Sequence, residues 1–342
     1  MKKFTVLAVL LLLAVPLMHA SIITNTNQSA IYYRLLSRNA SMQADAVYYN
    51  PAGLTQLKDG WHLAFHNQTI YQEKTITNSY PFLNDPKYVG EVNVPFFPTF
   101  FAVYKKNKLA LSFGFGPNAG GGTADFKTGL PSFEIPISNI PMLVSGFGIP
   151  TSAYSANLAF KGRSIYYGLQ FNASYAVSDV FALAAGFRYI IAETTYEGAI
   201  ENIMINPMHP LLNPSGAMMP ATQFFTAIGQ PGLAAGVSDQ AVDVKQEGHG
   251  FTPILGLNLR PSEKLNIGLR YEFNTKLELE NNTTKDDTGM FPDGEKIPSD
   301  IPAILAGGIE YSVLEQLRAH FSFNLYFDKS ADWGGREELV NS

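Results

Sequence analysis

Two sets of residues in this 342-residue chain have types and spacing suited to chemistry, and both point to binding. The first set is apolar. A segment from 131 to 155 carries Phe133, Ile140, Met142, Leu143 and Phe147, and one from 203 to 236 carries Met204, Met208, Met218, Met219, Phe224 and Phe225. Connections between strands are ordinarily polar and solvated, and apolar patches in them mark interaction sites. Pliable Met beside rigid Phe makes a surface that adapts to flexible hydrophobic molecules. The plainer alternative is that these segments pack on one another as a cap. The second set is cationic: Arg188, Arg260, Arg270 and Arg318 sit on or beside the polar sides of alternating segments. A guanidinium there grips a carboxylate headgroup through two parallel hydrogen bonds, or closes an ion-pair network with a neighbour such as Glu272.

Catalytic patterns are absent from the sequence. Zero cysteines exclude disulfides, thiolate metal sites and cysteine nucleophiles, and six histidines form no HExxH or ligand-spaced pair. No metal and no cofactor is therefore expected. Val144-Ser145-Gly146 lacks the first glycine of a nucleophile elbow. Gly114-Phe115-Gly116-Pro117-Asn118-Ala119 mimics a dinucleotide fingerprint, but Pro117 and Gly120 to Gly122 stand where its helix should begin, so the stretch reads as a loop. A net charge of −5 without any Lys/Arg run leaves no case for nucleic acid.

The elements that must position these residues are strands. From Ile165 to Val177 the odd positions are mainly apolar and the even ones mainly small or polar, a period of two. Ser178-Asp179 turns the chain and the same parity resumes from Phe181; Phe251 to Arg260, Leu265 to Asn274 and Leu317 to Phe327 repeat it. In all, nine strands are expected, near 61–71, 94–104, 108–117, 163–177, 180–196, 250–260, 264–280, 302–313 and 317–327. Their length of about ten residues or more suits a tilted crossing of a bilayer. Charged residues make up 15% of the chain against roughly 25% in soluble domains. Lys2, Lys3 and the apolar run Phe4 to Leu17 read as a signal peptide, residues 1–20. No later apolar run is long enough for a membrane helix, so a membrane-spanning reading requires strands. Turns near 105–108, 178–179, 261–264 and 314–316 are short, whereas the connections 117–162, 197–250 and 281–300 are long, the asymmetry of outer-membrane barrels. The expected fold is thus an all-β transmembrane antiparallel barrel over 61–342. Because nine is odd and bacterial single-chain barrels have even strand numbers, the chain is expected to lack its last strands.

Residues 21–60 fit no strand and lead into Asp45 to Leu54, which contains Asn50-Pro51-Ala52 directly ahead of the first strand. In this placement, and in the order of strands and long loops over essentially all of the mature chain, the sequence resembles the FadL/TodX family of outer-membrane long-chain fatty-acid and aromatic-hydrocarbon transporters. The resemblance implies an N-terminal hatch gated at Asn50, Pro51 and Ala52. It also implies capture of hydrophobic substrate by the apolar loops, and a kinked third strand opening the wall sideways. In this chain Gly114, Gly116 and Pro117 fall in that strand and disfavour a regular ladder.

The function expected is passive uptake of long-chain fatty acids or related hydrophobic compounds by a monomer in the outer membrane of a Gram-negative bacterium, amid lipid and lipopolysaccharide. The chain is expected not to be an enzyme. An adhesin or antigen, a general porin and, last, a membrane phospholipase are the alternatives. An adhesin needs no hatch, and a porin would want charged constriction loops.

Overall fold

The structure, a computed structural model, describes residues 25–334; the expected signal peptide, residues 1–20, lies outside the described residues. Twelve strands form one antiparallel sheet: β1 (Gly60–Thr77), β2 (Lys87–Lys106), β3 (Leu109–Phe126), β4 (Tyr154–Ala176), β5 (Phe181–Ile205), β6 (Met219–Pro220), β7 (Gln240–Ser262), β8 (Leu265–Glu272), β9 (Glu278–Asp286), β10 (Lys296–Pro298), β11 (Ala303–Ser312) and β12 (Arg318–Phe327). Its main path runs β1-β2-β3-β4-β5-β7-β8-β11-β12, each strand beside its sequence neighbour apart from the short β6, β9 and β10. The nine strands of that path are the nine the alternation predicts. Among the described residues β1 and β12 are its two edges, and no helix is long and apolar enough to cross a membrane.

Parity assigns the faces as expected. Leu63, Phe65, Leu111, Phe171, Leu183, Phe187, Leu255, Leu269 and Phe323 lie exposed on the convex face, with Trp61 at 70% and Leu63 at 67% exposure. A soluble domain would not leave such a continuous apolar band in water. Aromatic rings link neighbouring strands across it: Phe113 to Phe171 at 5.0 Å, Phe171 to Phe187 at 5.4 Å, and Phe187 to Phe251 at 5.0 Å. The intervening residues, including Gln170, Asn172, Ser174, Arg188, Asn258 and Glu272, are buried on the concave face.

Short turns and long connections segregate to opposite ends. At the short-turn end Asn107 adopts φ 52°, which Asn tolerates, and donates its N–H to Asp59. That hydrogen bond and the Lys105 ammonium hold the Asp59 carboxyl below its ordinary range. The long-loop end departs from expectation in its boundaries. β3 continues to Phe126 and β4 begins at Tyr154, so the loop expected over 117–162 is only 127–153. Gly120 to Gly122, expected in a loop, belong to β3. The strand expected over 264–280 divides into β8 and β9, and β9 pairs with β7 and β10 beyond it. The loops carry helices α3 (Pro131–Ser138), α4 (Ile140–Gly146), α5 (Ala221–Ala227) and α6 (Pro231–Gly236).

Residues 25–57 pack on the concave face, with α1 (Ala30–Arg34), α2 (Ala46–Tyr49) and a 3-10 turn, Pro51–Gln56. Ala46, Val47, Leu54, Phe101, Val103 and Ala110 form their shared core. Two facing glycines, Gly268 and Gly308, make room for the segment, since a Cβ on the first would stand 2.3 Å from the Asn39 carbonyl oxygen and on the second 2.6 Å from the Ala40 nitrogen. Gly268→Ala is accordingly expected to cost about 1–3 kcal/mol. Thermal unfolding in detergent checks this, with Gly121→Ala, whose Cβ would meet nothing within 4 Å, as the unaffected control.

Candidate functional site

Above the N-terminal segment, where the strands reach the long loops, the concave face turns apolar. Phe160 on β4, Tyr196 and Ile200 on β5 and Val242 on β7 face Phe133, Pro136 and Ile137 of α3 and Met290 and Phe291 of the following loop across a cavity of about 410 Å³. Aromatic rings run along its wall: Phe133 meets Phe160 edge-on at 5.7 Å, Phe160 stacks on Tyr196 at 6.5 Å, and Tyr196 meets Phe291 at 5.7 Å. The polar side chains lining it, such as Ser132, Ser238, Gln240 and Thr288, are uncharged. Such a chamber takes up an apolar molecule of modest size and offers a carboxylate no counter-ion. A larger cleft of about 1040 Å³ lies beside β7 and β9, but Glu193, Glu247, Glu278, Glu280 and Asp300 line it. Charged, hydrated walls give a hydrophobic ligand nothing to gain. Among the described residues no group of three or more acidic, His or Cys side chains is arranged to hold a metal.

The apolar loop residues divide between two duties. Ile140, Phe224 and Phe225 are buried with Ile137, Val144, Ile203 and Ile205 in the core of a loop cap, and Ile137 and Ile203 of that core also line the chamber. Met219 packs against the same core, and Met204 pairs with Pro220 at the top of β5. Met142, Leu143, Phe147, Met208 and Met218 are exposed on the outside of the cap, and of the residues singled out in the sequence only Phe133 lines the chamber.

Below the chamber the lumen is filled by protein. Tyr48 of α2 lies between two guanidiniums, with the Arg188 and Arg270 Cζ atoms each 4.8 Å from its ring centroid. Arg188 donates to Glu272 through Nη1 at 2.6 Å and Nη2 at 3.1 Å, and to Gln170 through Nε and Nη2. The Arg270 Nε lies 3.0 Å from the same carboxylate, and its Nη1 donates to the Tyr48 carbonyl oxygen. One carboxylate thus balances two buried cations. Neither arginine presents a free edge to an incoming headgroup in this state, because Arg188 and Arg270 are 3% and 2% exposed. Arg260 instead donates to Gln56 and Arg318 to Glu310.

Asn50 Nδ2 donates to Asn258 Oδ1 at 2.7 Å and to the Ser41 carbonyl, while the Pro51 carbonyl accepts from Ser174 Oγ at 2.7 Å. Ala52 is fully buried against Ala182 and Ala184. Within the segment, Arg38 and Asp45 form a buried ion pair at 2.7 Å that Ser41 shares.

Between β2 and β3 the wall is interrupted. β2 and β3 pair from Lys106↔Leu109 to Phe100↔Phe115, then not again until Val92↔Ala124. On its other side β3 remains paired with β4 but slips register between Pro117 and Ala119 and between Gly120 and Gly122. Gly114 is paired on both sides, whereas Gly116 and Pro117 keep their β4 partners but lie in the stretch without β2 partners; the register slips against β4 follow over 118–122. Gly120 adopts φ +85°, where a Cβ would come within 2.2 Å of the Ser164 carbonyl oxygen. The freed carbonyls are met from inside the sheet: Asn118 O accepts from the Asn25 N–H at 2.6 Å and Pro117 O from Gln28 Nε2 at 2.5 Å.

The curled antiparallel sheet has structural counterparts. A Pseudomonas aeruginosa FadL homologue aligns with TM-score 0.54 and 12% identity over 91% of this chain and 70% of its own. The Ralstonia pickettii toluene transporter TbuX aligns with TM-score 0.51 and 16% identity over 84% and 68% of the two chains. The Pseudomonas putida toluene transporter TodX gives 0.50 and 16%, over 89% and 71%. The fold is the FadL/TodX barrel fold. No family profile and no curated protein matches the sequence, so the likeness to FadL/TodX barrels is one of structure.

Phe160, Tyr196, Ile200, Val242 and Phe291 went unrecognised as site residues in the sequence. Their signal was present: Phe160, Tyr196, Ile200 and Val242 carry the parity of the lumen face; Tyr196 closes the strand expected over 180–196, while Phe160, Ile200 and Val242 lie beyond the ends assigned to their strands.

Replacing Glu272 by Gln leaves two buried guanidiniums around Tyr48 without a counter-charge. A loss of about 3–5 kcal/mol is expected. Urea unfolding in detergent measures it, and the double variant Glu272→Gln with Arg270→Met should lose less than Glu272→Gln alone.

Proposed function

We propose that this chain is an outer-membrane channel for passive uptake of hydrophobic compounds, long-chain fatty acids or related molecules, and that residues 25–57 are its hatch. The observation that carries the reading is the vertical order of the concave face: an apolar chamber under the loops, then a hatch held by buried polar contacts, beside an interrupted stretch of wall. Substrate partitions onto Met142, Leu143, Phe147, Met208 and Met218, enters the chamber at Phe133, and passes on when the hatch around Asn50, Pro51 and Ala52 shifts. It leaves sideways between β2 and β3, next to Gly114, Gly116 and Pro117. The apolar band supports insertion in a bilayer, and the FadL/TodX fold supports the outer membrane of a Gram-negative cell as the location. The structural counterparts named as toluene transporters support a role in transport rather than catalysis.

A second reading narrows the substrate. The chamber's uncharged, ring-lined wall favours neutral aromatic hydrocarbons over carboxylates, and two of the structural counterparts are toluene transporters. The arginines return to a headgroup role only when Tyr48 withdraws from between them.

Labelled toluene and labelled oleate, offered to cells lacking their own hydrophobic transporters, separate these readings. Ile200→Glu places a charge in the chamber and is expected to cut uptake about tenfold or more, since burying an unpaired carboxylate costs several kcal/mol. Uptake of toluene alone selects the neutral substrate, and uptake of both retains the broad one. Failure to take up either compound, with the protein correctly inserted, refutes the channel.

A further inference from the structure

The α3 helix is held in an unusual way. It spans eight residues, contains Pro136, and turns Ser132, Phe133, Pro136 and Ile137 toward the chamber, where a void replaces packing partners. Apolar contact therefore fixes only part of it. Its firmest attachment is Glu134, a carboxylate buried to 8% exposure. Glu134 Oε2 accepts from the Tyr88 hydroxyl of β2 at 2.5 Å, and Oε1 from the Tyr154 hydroxyl of β4 at 2.6 Å. The Asn84 N–H, from the β1–β2 connection, approaches Oε1 at 3.4 Å and donates to the Tyr154 hydroxyl at 2.9 Å. All of these donors are neutral. A second clasp from the same connection joins the Tyr80 hydroxyl to Asn139 Oδ1 at 2.5 Å, directly after the helix.

The segment carrying α3 is bounded by backbone suited to a hinge. Gly129 adopts φ +73° and Gly148 φ +82°, and around Gly148 an added Cβ would meet nothing within 4 Å. The helix thus faces a void, interrupts its own ladder with a proline and is pinned to two strands through one carboxylate.

We propose that α3 is a lid on the chamber and that Glu134, held by Tyr88 and Tyr154, is the latch that sets how often it opens. This rests on reading the chamber as a ligand site. Opening about Gly129 separates Phe133 from Phe160 and exposes the ring-lined wall to the loops; closing returns the Glu134 carboxylate to the two hydroxyls. Tyr88 and Tyr154 act as positioning residues and touch no substrate.

Hydrogen exchange of the α3 amides in the full chain, measured with and without toluene and paired with toluene uptake by cells, tests the lid. In the native protein toluene is expected to slow exchange in α3 and in the chamber strands. Tyr154→Phe, which keeps the ring and removes one hydroxyl, is expected to speed α3 exchange about ten- to a hundredfold, the worth of one hydrogen bond to a charged acceptor. The β4 and β5 amides should stay unchanged and the maximal uptake rate should rise. Tyr88→Phe should do the same, and provides the measurement should Tyr154→Phe fail to insert. If toluene protects the chamber but neither variant alters α3 exchange, the latch is refuted and the chamber reading stands. Faster exchange with unaltered uptake refutes the lid and leaves Glu134 an anchor. No protection by toluene anywhere overturns the chamber reading and the lid with it.

Discussion

A polypeptide placed inside a β-barrel must find partners for most of the polar groups it buries, and that requirement organises this molecule; within residues 25–57 the side-chain exceptions are Asn27 Oδ1 and Asn50 Oδ1. The concave face of the sheet supplies Gln170, Asn172, Ser174, Asn258, Asn266 and Glu272, and each meets a group of residues 25–57 or another group bound to them. An unmade hydrogen bond there costs about 1–3 kcal/mol, more for a charge. The contacts are specific as well as stabilising, because Tyr48 fits only between Arg188 and Arg270, and both cations depend on the one Glu272 carboxylate. In the proposed hatch movement these polar groups would exchange their partners for water, while the apolar contacts of Val47 and Leu54 would have to separate from Phe101 and Val103.

The same logic explains the wall. Where β3 slips register its carbonyls lose their β2 partners, and Asn25 and Gln28 replace them from inside. Residues 25–57 and the wall interruption are therefore joined through hydrogen bonds at one end of the segment, while Asn50 and Pro51 join it to β7 and β4 at the other. Above them the polar pattern ends and the chamber begins, so that the concave face reads from apolar to polar in the direction of proposed transport.

Much of this was legible in the sequence. The period of two named all nine strands of the main path and their faces, because a half-lipid, half-lumen strand enforces strict alternation, and loop asymmetry named the two ends. Strand ends were hidden, since Phe160, Ile200 and Val242 belong to extensions that rise beyond the apolar band, where outward residues such as Lys161, Glu197 and Asp243 become charged and the contrast between faces fades. The places of the loop residues were not legible, because Phe224 buried in a cap and Phe133 facing a cavity have the same sequence signature. The pairing of Arg188 and Arg270 with one carboxylate 84 and 2 residues away is a tertiary fact that spacing does not carry.

The central claim is that the hatch must leave its place for substrate to pass. The chain has no native cysteine, so Asn50→Cys with Asn258→Cys, two positions whose side chains now share a 2.7 Å hydrogen bond, can be joined by a short reducible bifunctional reagent in intact cells. Toluene or oleate uptake should stop when the pair is tethered and resume when the tether is reduced. Undiminished uptake through fully tethered protein would contradict the account.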